Sequence, residues 1–200
     1  MPLQNRVDPF GEILALPERG MMMGNRGGRI HDDVQRLTRR RWTSRRWICC
    51  ELTFRGVYRR VMTAGYTELF FLDEVTALAA GHRPCFYCRH AEATSFARAF
   101  GGGLNPPGAD EMDRVLHAER LEGTRKRIHR ADAAAQPDGA VVLVDGEPHA
   151  LKGDAALRWS PAGWAPARSR PGGEVPMLTP PSIAAALRHG FRPRWHPSAS

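Results

Sequence analysis

Apolar positions in this chain change period along its length, and the changes predict its elements. Residues 47–54 alternate, with Ile48, Cys50, Leu52 and Phe54 on one face and Trp47, Cys49, Glu51 and Thr53 on the other, the pattern of a strand with one buried side. Arg55-Gly56 then turns the chain toward a partner strand over residues 57–63, predicting an antiparallel hairpin. Residues 67–71 form a second apolar strand. Asp73 can cap a short helix running through Ala80, with Gly81 as its left-handed stop and Pro84 barring continuation. A helix over 86–100 ends at the Gly/Pro-rich break of 101–108, and the spacing of Met112, Val115 and Leu116 predicts another over 110–121.

The last third reads as β-rich. Strands at 140–144 and 148–152 flank Asp145-Gly146, 156–159 follows, 161–176 reads as a loop, and Thr179-Pro180-Pro181-Ser182 opens a final short helix that closes at Gly190. The first thirty residues offer one short strand, at 12–16. The fold class expected is α+β: small antiparallel hairpins and short helices around a cysteine knuckle, with a β-rich C-terminal part. The expected organisation is an extended arm (1–30), a knuckle lobe carrying a basic segment (31–100), and a lobe of one helix plus β structure (109–200).

The chemistry starts at Cys85-Phe86-Tyr87-Cys88. Two thiols separated by two residues can grip one metal ion through a tight turn, and Zn²⁺ is the ion such a pair most often serves. The remaining cysteines, Cys49 and Cys50, are also candidate ligands, but on a strand adjacent side chains point to opposite faces, so one of the two is expected to be a core thiol. A further ligand is then needed, and His31, His82 and His90 are the nearest histidines in sequence.

The run Ala77-Leu78-Ala79-Ala80-Gly81-His82-Arg83-Pro84-Cys85, closed by Cys88, resembles the second half of the zinc-binding module at the amino terminus of Ada-type DNA alkylation-repair proteins. The resemblance covers residues 74–89. That family holds zinc with four cysteines and contacts DNA, so the resemblance implies zinc ligation by Cys85 and Cys88. The family's first cysteine pair is spaced CxxxC where this chain has the adjacent Cys49-Cys50. No residue here matches the motif of the reactive cysteine, so a methyl-accepting role is not implied.

Charge adds a partner. With 29 Lys and Arg against 21 Asp and Glu, the chain carries a formal +8, which favours a polyanion. Arg36, Arg39, Arg40, Arg41, Arg45 and Arg46 are interleaved with Trp42 and Trp47, a mixture suited to phosphates and stacked bases. Arg125, Lys126 and Arg127 form a second basic patch, and the Gly24 to Arg29 turn could offer backbone N–H groups to a phosphate. Nucleic acid is the expected partner, DNA ahead of RNA. No run of eighteen apolar residues and no basic-then-apolar leader is present, so no membrane partner and a cytoplasmic setting are expected.

On the helix over 110–121, Asp113 and His117 lie one turn apart and Glu119 falls on the buried side. These three are candidates for acid/base or metal-assisted chemistry; the plainer reading is a solvated helix with ordinary charge pairs. The function expected is a zinc-stabilised nucleic-acid-binding protein in DNA repair or processing. The alternatives are a metal-dependent nuclease or deaminase-like enzyme using His117 and Glu119, although a deaminase's His-x-Glu precedes its Pro-Cys-x-x-Cys, and a zinc module that binds an acidic protein.

Overall fold

A computed structural model describes residues 1–56, 60–103 and 105–200, and of residues 166 and 167 the backbone alone. The chain is α+β. Its first part contributes strands β1 (Gln4–Val7), β2 (Ile13–Ala15), β3 (Met22–Arg26), β4 (Trp47–Cys50) and β5 (Leu69–Phe71), then helix α1 (Glu74–Ala79), the two-residue strand β6 (Arg83–Pro84) and helix α2 (His90–Phe100). Helix α3 (Ala109–Arg120) leads into a small hairpin of β7 (Leu121–Glu122) and β8 (Arg125–Lys126). The β-rich part comprises β9 (His129–Asp132), β10 (Val141–Val144), β11 (Glu147–Lys152), β12 (Ala155–Ser160), β13 (Gly163–Ser169) and β14 (Glu174–Met177), and helix α4 (Pro181–Arg188) follows.

Two six-stranded sheets result, ordered β2-β1-β5-β3-β4-β6 and β13-β12-β11-β10-β14-β9. In the first, the residues expected as an extended arm supply three of the six strands. All five residues of β3 are buried, so this strand shows no alternation to read; it is flanked by β4 and β5 and covered on both faces. The expected strand over 47–54 stops at Cys50, because β4 pairs with β3 and β6 rather than with a following hairpin partner. Of that expected partner, Val57 to Arg59 lie outside the described residues. In the second sheet, Asp145 (φ 55°) and Gly146 (φ 80°) make the left-handed two-residue turn expected between β10 and β11. The stretch expected as a loop after residue 161 instead supplies β13 and most of β14.

Helix α1 is why the two sheets form one body. All six of its residues are buried. Ala77 packs with Val7, Met22 and Phe71, Val75 with Val141, Leu157 and Trp164, and Leu78 with Phe96, Leu116 and Leu187. A helix whose apolar residues face three clusters belongs in an interior, and its polar residues are partnered there, Glu74 by Arg89 and Thr76 by Asp73. Its cap crosses the same boundary: Asp73 accepts from the Thr76 amide at 2.9 Å and Oγ1 at 2.8 Å, and also from Trp164 Nε1 at 2.7 Å and the His196 amide at 2.9 Å. The lobe expected over 109–200 is therefore joined to the preceding residues by buried hydrogen bonds. Among the described residues no helix is long and apolar enough to cross a membrane.

Candidate metal centre and basic face

Local sequence builds the knuckle. Asp73 starts α1, Gly81 (φ +85°) ends it, and a Cβ at Gly81 would fall 2.7 Å from Arg120 Cδ, so close packing as well as handedness requires glycine there. The chain then runs as β6 beside β4, parallel, with Cys49 opposite Pro84, and the Cys85 amide donates to the Cys49 carbonyl at 2.9 Å. That register brings Cys85 beside Cys50. The Cys85-to-Cys88 turn closes with the Tyr87 amide donating to Cys85 Sγ at 3.4 Å and the Arg89 amide to the Cys85 carbonyl at 3.0 Å. The helix expected from Phe86 begins only at His90, because these residues are used by the turn.

The Sγ atoms of Cys50, Cys85 and Cys88 lie within 4.8 Å of one another, close enough to hold a single metal ion. Thiol contacts from Cys50 and then Cys88 pull the Cys85 thiol far down, and the contact with Cys85 pushes Cys50 up. One of the three thus becomes a thiolate first, and the start of α2 just beyond Cys88 favours negative charge there. Cys49 points the other way. It is fully buried against the first sheet's core, with Arg89 Nη1 3.7 Å from its sulfur, and burial, then Glu74, pushes its thiol well above the ordinary value. Alternation along β4 thus separates the pair: Cys50 joins the cluster and Cys49 does not.

None of the three candidate histidines joins the cluster. His31 bonds Thr67 Oγ1 at 2.6 Å and the Thr63 carbonyl at 3.2 Å, His82 is fully buried beside Arg26, and His90 opens α2 with its ring against Phe86. The cluster is instead braced by charges. Arg89, one residue past Cys88, donates to both oxygens of Glu74 at 2.6 and 2.9 Å, all buried, and its Nε lies 3.3 Å from Glu51, one residue past Cys50. Arg194 grips both Glu51 oxygens at 3.0 Å. Burial alone would lower Arg89, but the pairing with Glu74 overrides it and raises the guanidinium. The partners are 15 to 143 residues apart, so no local pattern announces this frame; its one sequence signal is charge placed inside an apolar stretch, at Glu74 and Arg89.

At the opposite end of β4 lies the basic segment. Trp47 is buried between two guanidiniums, with Arg26 Cζ 3.9 Å and Arg120 Cζ 4.0 Å from its ring centroid. Arg26 donates to the carbonyls of Gly11 at 2.7 Å and Arg41 at 3.5 Å; Arg120 donates to those of Gly81 at 2.9 Å and Arg45 at 2.7 Å. Buried side chains thus pin the backbone of the loop. Arg39, Arg40, Arg45 and Arg46 are exposed and Arg41 and Trp42 half-buried, with the Trp42 ring 5.9 Å from both Trp47 and His117. Arg46 reaches Asp110 at 3.3 Å, whereas among the described residues no carboxylate pairs with Arg39, Arg40, Arg41 or Arg45. Arg26, expected beside a phosphate-binding turn, is itself one of the buried pins.

In the second patch Arg125 is exposed and Arg127 Nε donates to the Leu121 carbonyl at 3.2 Å. Lys126 turns inward to the Ala79 carbonyl, and burial, then Arg120 and Arg26, lowers its ammonium to about 7. Lys126 is therefore withdrawn from the basic surface.

The helix α3 candidates do not converge. Asp113 forms a buried two-pronged pair with Arg83, at 2.9 and 2.7 Å, and so cannot serve His117. His117 Nδ1 instead lies 3.0 Å from Arg120 Nη2, and burial, then the charges of Arg120 and Arg45, lowers its basicity. Glu119 accepts from the Ser182 amide at 3.0 Å and hydroxyl at 2.6 Å, capping α4. Among the described residues the three cysteines are the one group with metal-site spacing. No known protein family, curated protein or solved structure matches the chain.

Proposed function

We propose that this chain is a zinc-centred nucleic-acid-binding protein, with Cys50, Cys85 and Cys88 holding the metal and the segment from Arg39 to Arg46, with Trp42, contacting the nucleic acid. The observation that carries the reading is the pinned loop of unpaired arginines. Some exposed arginines elsewhere sit on carboxylates: Arg130 on Glu174, Arg158 on Glu147 and Arg168 on Asp145. Others, such as Arg98 and Arg114, stand singly without one among the described residues; here Arg39, Arg40, Arg41 and Arg45 lack one within a single short segment. Leaving several adjacent arginines without such partners, on backbone held by buried side chains, suits phosphate binding. Trp42 adds a flat surface on which a base can stack. The local likeness to a DNA-contacting module favours DNA.

Zinc fits the donors. Tetrahedral Zn–S bonds of ~2.3 Å place sulfurs ~3.8 Å apart, within the 4.8 Å spread of the three thiols. Zinc would tie the end of β4 to the turn before α2 and so stiffen the strand that carries the basic segment at its other end.

Two measurements test the reading. Metal analysis should find one zinc per chain, lost in Cys50→Ser and kept in Cys49→Ser; zinc kept in both excludes the assigned ligand set. Titration of single-stranded and duplex DNA and of RNA at several salt concentrations should show binding that Arg39, Arg40, Arg45 and Arg46→Gln weakens, the salt slope falling by ~0.7 to 0.9 per lost phosphate contact. Trp42→Ala should cost ~1 to 3 kcal/mol of single-strand affinity at unchanged slope. Equal affinity of wild type and the glutamine variant, or no binding at all, rejects the nucleic-acid assignment.

A further inference from the structure

We infer that the metal centre keeps one coordination position for a ligand from outside the chain, a small apolar thiol seated in the cavity beside the three cysteines; the inference rests on the zinc reading above. The chain's own donors are accounted for. Cys49 lies on the opposite face of β4. Each of the eight histidines has a place away from the cluster: besides His31, His82, His90 and His117, His129 bonds the Glu119 carbonyl, His149 that of Glu147, His189 that of Ala99, and His196 the Ser198 hydroxyl. Glu51 borders the cluster, but Arg194 and Arg89 hold both its oxygens. Asn25 also borders it, and its carbonyl oxygen accepts from the Gly27 amide at 3.0 Å. Val57, Tyr58, Arg59 and Leu104, outside the described residues, carry no thiol, imidazole or carboxylate. A three-cysteine zinc site with no fourth protein donor leaves one position open to a ligand, the arrangement of reactive rather than purely structural zinc.

The surroundings select what can sit there. A cavity of about 270 Å³ is lined by Cys50, Cys85 and Cys88 together with Met23, Ile48, Leu52, Phe54, Tyr66 and Tyr87. This is room for a small organic molecule. Its walls are mainly apolar, and Leu52 and Tyr87 stand 44% and 67% exposed, so the cavity opens to solvent through apolar side chains. A zinc already held by sulfur accepts a further soft donor readily. On binding, the thiol's sulfur bonds the metal and its proton leaves to solvent. Arg89 and Arg194 behind the cluster are already paired with Glu74 and Glu51, so the cation left to meet the added negative charge is Arg55 at the mouth, 5.1 Å from the Phe54 ring and 5.6 Å from that of Tyr87.

The test is cobalt(II) loaded in place of zinc under anaerobic conditions, titrated with benzyl mercaptan. Expected is a rise of about one-third in sulfur-to-cobalt absorption as three sulfurs become four, with apparent affinity increasing about tenfold per pH unit below the thiol's pKa. Uncharged, polar 2-mercaptoethanol should bind at least about tenfold more weakly, and Phe54→Ala should weaken benzyl mercaptan about tenfold at unchanged cobalt content. Cobalt bound with a spectrum indifferent to thiol would overturn the open position and leave the metal centre standing. Equal affinity for the two thiols would overturn the apolar seat. Failure of the wild-type chain to take up cobalt or zinc removes the metal centre and this inference with it.

Discussion

Replacing Asp113 by alanine should be among the most damaging single changes available outside the apolar core, with no catalytic explanation needed. Arg83 Nε and Nη2 meet the two Asp113 oxygens at 2.9 and 2.7 Å, and the side chains are 5% and 3% exposed. Without the carboxylate, the guanidinium stays buried with the Pro84 carbonyl as its remaining acceptor, at 3.1 Å. Stranding one charge of a buried pair costs ~3–5 kcal/mol. At ~2–4 °C per kcal/mol for a chain of this size, the melting temperature should fall by about 6–20 °C. Asp113→Asn should do less damage, because it keeps an acceptor for one of the two hydrogen bonds. Arg83→Met combined with Asp113→Leu should recover much of the loss, since neither charge is then stranded. Arg83 stands two residues before Cys85, so the alanine variant should also bind metal more weakly. Thermal and denaturant melts on the four proteins, with metal content measured on each, decide the matter. An alanine variant melting within ~2 °C of wild type would refute the reasoning. So would a double variant no more stable than Asp113→Ala.

Two other side chains give sharp expectations. Lys126 ends at the Ala79 carbonyl, with burial, then Arg120 and Arg26, lowering it to about 7. For a base lowered on folding, the unfolded chain holds the proton longer, so stability should rise as pH climbs from about 7 toward the ordinary lysine value, by at most ~1.4 kcal/mol per pH unit. Lys126→Met should flatten that rise in urea melts at pH 7, 8 and 9; an unchanged slope means another group titrates. Glu119→Ala should cost ~0.5–2 kcal/mol by uncapping α4 while metal content and nucleic-acid affinity stay at wild-type levels. Lost binding at unchanged stability would return Glu119 to the functional candidates.

Wherever a few adjacent residues decide the outcome, the sequence alone was sufficient. Asp73, Gly81 and Pro84 bound helix α1 because capping, left-handed backbone and a missing N–H act within one turn. Asp145-Gly146 makes a hairpin because two consecutive positive φ angles suit those residues. Cys49 and Cys50 part company because neighbours on a strand face opposite ways; that local rule leaves open which of them meets Cys85. The choice was made by the parallel pairing of β4 with β6, 35 residues later in the chain. Strand pairing over such distances also drew the first thirty residues into a sheet, where burial on both faces of β3 removes the alternation that would have revealed it. The arginines divide in the same way. Composition establishes a basic chain, yet Arg26, Arg83, Arg89 and Arg120 are structural while Arg39, Arg40 and Arg45 face solvent, and nothing in the local sequence separates the two groups. What separates them is whether a carbonyl, carboxylate or indole from a distant segment arrives to meet the guanidinium. Only the tertiary structure decides that, because burying a charge is tolerable only where such partners converge.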